Sequence, residues 1–146
     1  MLKKILVAID LTESEMTKQA IDKAAALARA FNSELRLVNV QTLIPVAFLD
    51  YVKGNFDKDI QQGLEKEIAA LAASIAHPTG RISTVVLFGP VYQKVLAEAE
   101  EWGAEVVVVG SHRPGMDRFL IGSNAGAIVY HAKCSVFVVR QLRGAG

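Results

Sequence analysis

The chain has 146 residues, 51% of them apolar and 21% charged, with a formal net charge of +1. That length buries the core of one ordinary domain, and the composition is globular rather than disordered. The near-neutral charge leaves no footprint for nucleic acid or an anionic membrane, so neither is expected as a partner.

The opening, MLKKILVAID, holds a run of only five apolar residues between its basic pair and Asp10, which is too few for a signal peptide. Ile5 to Ile9 is a continuous branched run, as in a parallel strand covered on both faces. Thr12 and Glu15 have capping-box spacing for the helix that follows. From Met16 to Phe31, apolar residues recur at spacings of three and four and define one helix face. Asn32 and Ser33 end it, and Leu35 to Val40, LRLVNV, reads as the second strand.

Residues 41–55 contain Pro45 and Gly54 and show no clean period. They form an excursion whose aromatics Phe48 and Tyr51 are expected at an interface or in a lid. Phe56 to Ile75 carries a helical stripe, ended by His77, Pro78 and Gly80. Ile82 to Phe88 is a third strand. Pro90 opens a helix whose buried side includes Val91, Val95, Ala99 and Trp102. Val106 to Val109 is a fourth strand, residues 123–132 a last helix, and Val136 to Val139 a fifth strand. Strands alternating with amphipathic helices predict an α/β fold: one domain over residues 1–146, with a five-stranded, mostly parallel sheet and helices on both faces.

Ligands of such sheets bind beyond the carboxyl ends of the strands, where strand order reverses. The loops after Ile9, Val40 and Val109 are therefore the candidates. The third reads GSHRPGMDRFLIGSNAG. Gly110 leaves the strand where a missing side chain admits a ligand to the backbone. Gly122 and Ser123 stand where the last helix begins, and a helix N-terminus attracts phosphate through unpaired N–H groups and its dipole. Ser123 and Asn124 add side-chain donors, Arg113 a guanidinium fork, and His112 a group able to donate or accept. The same residues allow a plainer reading, in which Gly110 makes a turn, Ser123 caps a helix and Arg113 is solvated.

KILVAID with its following helix, and VVVVGSHRPGMDRFLIGSNAGAIVYHAKCSVFVV, resemble the universal stress protein family over nearly the whole chain. The resemblance implies a Rossmann-like fold of the adenine nucleotide alpha hydrolase-like type, and a G-x2-G-x9-G-[ST] pattern that binds ATP. Here Arg113 replaces the middle glycine. Only eight residues, Pro114 to Ile121, separate it from Gly122, one fewer than the family spacing. This variant resembles the branch that includes the bacterial F- and G-type stress proteins.

What the resemblance implies runs position by position. Ala8 stands beside adenine, where many ATP-binding members have proline. Asp10 holds the ribose or the adenine edge, and Val40 packs on adenine. Gly110, Ser111, His112 and Arg113 line the ribose and phosphates, while Gly122, Ser123 and Asn124 complete the phosphate cradle. A magnesium ion would ride on the ATP phosphates with few protein ligands. It also implies a homodimer through the last strand, Val136, Phe137, Val138 and Val139.

No catalytic constellation is visible. The histidines are His77, His112 and His131, of which only His112 falls in the candidate site; the other two read as surface residues. Cys134 reads as a small buried residue and, as the single cysteine, suits a reducing compartment, so a cytoplasmic protein is expected. Glu98, Glu100 and Glu101 read as the solvated side of a helix, and no metal site is expected. Nothing marks a residue that orients an attacking water, so ATP hydrolysis is expected to be slow at most. The competing reading is a stress protein without nucleotide, acting through its dimer surface as an interaction or chaperone-like module.

Overall fold

A computed structural model describes residues 1–42, 56–77, 81–111 and 122–140. The excursion after Thr42, with Phe48 and Tyr51, and the QLRGAG tail lie outside the described residues. In chain order the elements are β1 (Lys4–Ile9), α1 (Ser14–Phe31), β2 (Glu34–Gln41), α2 (Phe56–Ala73), β3 (Ile82–Phe88), α3 (Val91–Trp102), β4 (Val106–Gly110), α4 (Ser123–His131) and β5 (Ser135–Val139). The strands form one sheet in the order β3-β2-β1-β4-β5, and every neighbouring pair is parallel. The expected α/β architecture is the observed one.

Two apolar clusters explain why both sheet faces need helices. On one face Ile5, Val7, Leu35 and Leu37 pack with α1 and with Ile68 of α2. On the other, Leu6, Val38, Val107 and Val109 pack with Val95 of α3 and Ile128 of α4. Alternate residues of each central strand thus serve opposite cores, which is why these strands read as unbroken apolar runs. Each fully buried leucine or isoleucine contributes about 1.5–3 kcal/mol.

Helix ends follow local chemistry. Asn32 at φ 54° and Gly103 at φ 83° take left-handed conformations that close α1 and α3, the geometry that favours asparagine and glycine. The start of α1 departs from the expected capping box. Its N-cap is Glu13, without a side-chain cap bond, because Thr12 is bonded to Asp10 instead. Glu98 also departs from expectation. It pairs with Arg36 at 2.7 Å with only 14% of its side chain exposed, while the Arg36 guanidinium stacks 4.6 Å from the Trp102 ring centre. Glu100, by contrast, is an exposed partner of Lys133. His77 is not a free surface group either, since its Nε2 bonds the Ser33 carbonyl at 2.7 Å.

The N-terminus is tied to the strand beside β1 by one carboxylate. Glu105 accepts the Leu2 and Lys3 backbone N–H groups, one on each oxygen, both at 2.9 Å. The Lys3 bond most of all, helped by the Leu2 bond and nearby positive charge, holds its pKa below the ordinary 4.5 against desolvation, which ranks second and pushes it up. A depressed carboxylate pKa stabilises the fold above the ordinary value and loses that contribution as pH falls through the lowered one. The Glu105 carboxyl carbon is therefore expected to titrate by NMR with a midpoint below 4.5, the Leu2 and Lys3 amide shifts following the same curve. A midpoint at or above the ordinary value would refute the clamp.

Candidate functional site

The strand order reverses between β1 and β4, so their carboxyl ends diverge into a crevice, as expected for a doubly wound sheet. A cleft of about 620 Å³ opens there. Its walls include Ala8, Asp10 and Val40 from the β1 and β2 ends. Gly110, Ser111, Gly122, Ser123 and Asn124 come from the other side. The structure thus brings these sequence-predicted positions together, while His112 and Arg113 lie outside the described residues.

The β1 end is held by a compact set of hydrogen bonds. Asp10 Oδ1 accepts the Thr12 N–H at 2.9 Å and the Thr12 hydroxyl at 2.6 Å, an Asx turn of the kind aspartate favours. Its backbone carbonyl accepts Glu13 N–H at 3.0 Å and the Thr17 hydroxyl at 2.6 Å. One step back, the Ile9 carbonyl accepts Asn39 Nδ2 at 3.1 Å, and Asn39 Oδ1 accepts Gln41 Nε2 at 2.7 Å. Both bonds to the carboxylate fall on Oδ1, and among the described residues none falls on Oδ2.

The opposite wall is built from backbone. Ser111 has no exposed surface. Its N–H donates to the Val139 carbonyl at 2.9 Å and its carbonyl accepts Gly122 N–H at 2.6 Å, fastening the start of α4 to β4 and β5. Gly122, not Ser123, is the N-cap residue, and as glycine it makes no side-chain cap bond. The N-cap residue thus supplies no side-chain acceptor to the first N–H groups of this helix, and the helix dipole places partial positive charge at the cleft.

Gly110 lines the cleft and also has a packing reason to be glycine. A Cβ placed there would lie 2.4 Å from Met16 Cγ and 2.7 Å from its Sδ. The missing side chain admits Met16 of α1. Sequence reasoning also missed Thr12, Thr17, Asn39 and Gln41. The D-x-T spacing at Asp10 was a signal for the turn, and Asn39 interrupts an otherwise apolar face of β2.

Other chemistry is sparse among the described residues. Cys134 is half-buried, and desolvation pushes its thiol above the ordinary value, the opposite of an activated thiolate. His131 stacks on Tyr92 with ring centres 5.2 Å apart. Among the described residues no group of three or more metal-binding side chains converges, and no helix is long and apolar enough to cross a membrane. A larger depression, about 880 Å³, runs between α1 and α2, with Ile21, Leu71 and Ile75 among its walls. It reaches the start of α1 through Asp10, Leu11 and Ser14, but none of its described walls comes from β4 or α4.

The comparisons agree with this geometry. The family model described as "Universal stress protein family" matches residues 1–140. Universal stress protein G of Shigella flexneri is 33% identical over 144 residues, covering 96% of this chain and all of that protein. Among solved structures, a universal stress protein in complex with cAMP aligns with TM-score 0.71 at 19% identity, covering 96% of this chain and 98% of that one. The universal stress protein from Archaeoglobus fulgidus in complex with dAMP aligns with TM-score 0.63 at 19% identity, over 96% and 100%. With its sheet order, crevice and nearly full-length match all pointing the same way, the chain belongs to the universal stress protein family.

Proposed function

We propose that the protein binds ATP, accompanied by magnesium, in the crevice between β1 and β4, and that occupancy biases a dimeric stress-response regulator with slow or no turnover. The observation that carries this reading is the convergence of the Asp10 carboxylate with an uncapped helix N-terminus across one cleft. The carboxylate suits ribose hydroxyls or a base edge, and the helix start suits phosphate. Val40 and Ala8 supply apolar contact for the base, and His112 and Arg113 belong to the loop between Ser111 and Gly122. Magnesium would be held chiefly by the phosphates. Two structural neighbours, by their descriptions, hold the adenine nucleotides cAMP and dAMP, which supports an adenine ligand here. A cytoplasmic location accords with such a ligand and with the lone Cys134.

The test is calorimetric titration of ATP with magnesium into nucleotide-stripped protein. Saturable binding in the micromolar range is expected. No heat and no thermal shift would sink the nucleotide reading.

Dimerisation is proposed through β5, which stands at the sheet edge. Phe137 is 40% exposed, and Val129 and Tyr130 of α4 are exposed as well. Edge strands with exposed apolar groups are usually covered or paired. Phe137→Glu is expected to convert a dimer to monomer in analytical ultracentrifugation, because two buried carboxylates would face an apolar interface. An unchanged dimer would place the interface elsewhere. The same exposed surface favours the second reading, an interaction module without nucleotide, and the calorimetry separates the two.

A further inference from the structure

We infer that Gln41 reads the base edge of the ligand, with its amide orientation set by Asn39, so that the cleft favours a base bearing an exocyclic amine over one bearing a keto oxygen at that place. This rests on the nucleotide reading above and specifies how the site would choose its base.

The inference starts from a misplaced polar residue. Asn39 is 2% exposed, on the face of β2 that otherwise contributes the fully buried Leu35 and Leu37. In register it sits between Ile9 of β1 and Val86 of β3, both buried and apolar. An apolar side chain would suit the position, since burying an amide costs free energy unless its groups are bonded. Both bonding groups of Asn39 are used, and they are used in series.

The series fixes direction. A backbone carbonyl only accepts, so the Asn39 atom at the Ile9 carbonyl must be Nδ2. Its Oδ1 then faces Gln41, and being an acceptor it must receive the Gln41 N–H. Gln41 cannot flip without setting two oxygens against each other. Its Oε1 is left over, with no other hydrogen bond among the described residues, on a residue that lines the cleft. The cleft therefore holds an acceptor of fixed orientation at the end of β2.

Topology places that acceptor at the base end. The α4 N-terminus lies beyond β4, and β1 stands between β4 and β2. Two strand spacings, about 10 Å, thus separate the phosphate-attracting end from Gln41, a span suited to a nucleoside. Val38 and Val40, on the opposite face of the strand from Gln41, supply apolar walls of the same cleft. An amine at the base edge would donate to Oε1, whereas a keto oxygen would confront it.

The experiment compares ATP with ITP, its 6-keto counterpart, by calorimetry on wild type, Gln41→Ala and Asn39→Ala. Wild type is expected to prefer ATP by about tenfold or more, the consequence of one acceptor left facing another. Gln41→Ala should bring the two affinities close together. Asn39→Ala, by freeing the Gln41 amide to turn, should do the same, an effect that general destabilisation would not produce. Gln41→Ala carries the test alone where Asn39→Ala fails to fold. Equal binding of ATP and ITP by wild type, or a preference unchanged in Gln41→Ala, overturns the inference while nucleotide binding stands. Binding of neither nucleotide by wild type overturns the nucleotide reading and this inference with it.

Discussion

Replacing Gly122 with valine is expected to weaken ATP binding about 100-fold, the loss of two charge-assisted hydrogen bonds to phosphate at the α4 N-terminus. The substitution is informative because the fold should survive it. Gly122 has φ −60° and ψ 157°, an extended conformation open to any L-residue. Its N–H bond to the Ser111 carbonyl and its carbonyl bond from Gly126 N–H are backbone contacts that valine can also make. What valine adds is two methyl groups at the mouth of the helix, over N–H groups that the N-cap residue leaves without a side-chain bond. A phosphate oxygen must come within about 3 Å of those groups, and the methyls stand in its way. Circular dichroism and thermal melting should show a folded protein, with a cost of about 1 kcal/mol for a poorer N-cap residue. Wild-type affinity in a folded Gly122→Val protein would remove the α4 N-terminus from the proposed site.

The elements were legible because their physical causes are local. Ile5 to Ile9 and Val106 to Val109 read as strands buried on both faces, and both are interior strands of the sheet. The stripe from Met16 to Ala28 became the buried side of α1. The candidate loops were legible through topology, since alternation of strand and helix implies a parallel sheet and hence a crevice at its carboxyl edge. What stayed hidden depends on competition between neighbours. Thr12 had the spacing of a helix cap, but Asp10 lay two residues before it and took its hydroxyl and its N–H. Asn39 looked like one polar residue in a strand; its value comes from Ile9, thirty positions away. Glu98 looked solvated because nothing local places Arg36 of β2 beside α3. A single sequence shows periodicity directly, whereas pairings across the fold emerge only once the chain is assembled.

Gly110→Ala is expected to destabilise the protein by about 1–3 kcal/mol, the usual cost of overpacking a filled site, and Met16→Ala is expected to cancel much of that cost. Gly110 is not among the glycines with positive φ, so alanine brings no backbone strain. The damage is steric: the new methyl would sit 2.4 Å from Met16 Cγ, far inside van der Waals contact. Met16 is 9% exposed and packed in the first turn of α1, so it has little room to withdraw. Alone, Met16→Ala should cost about 2–5 kcal/mol through the cavity it leaves. Combined, the two changes should be less damaging than their sum by about 1–3 kcal/mol, because the added methyl fills part of that cavity. Denaturant unfolding of the four proteins measures this coupling directly. Additive effects would show that Met16 does not limit what position 110 can hold. ATP titration of the same set distinguishes the alternative role for this glycine. If close ligand approach is what requires it, Gly110→Ala lowers affinity and Met16→Ala fails to restore it. If packing is the reason, stability moves and is rescued, and the affinity of the double variant stays near that of wild type.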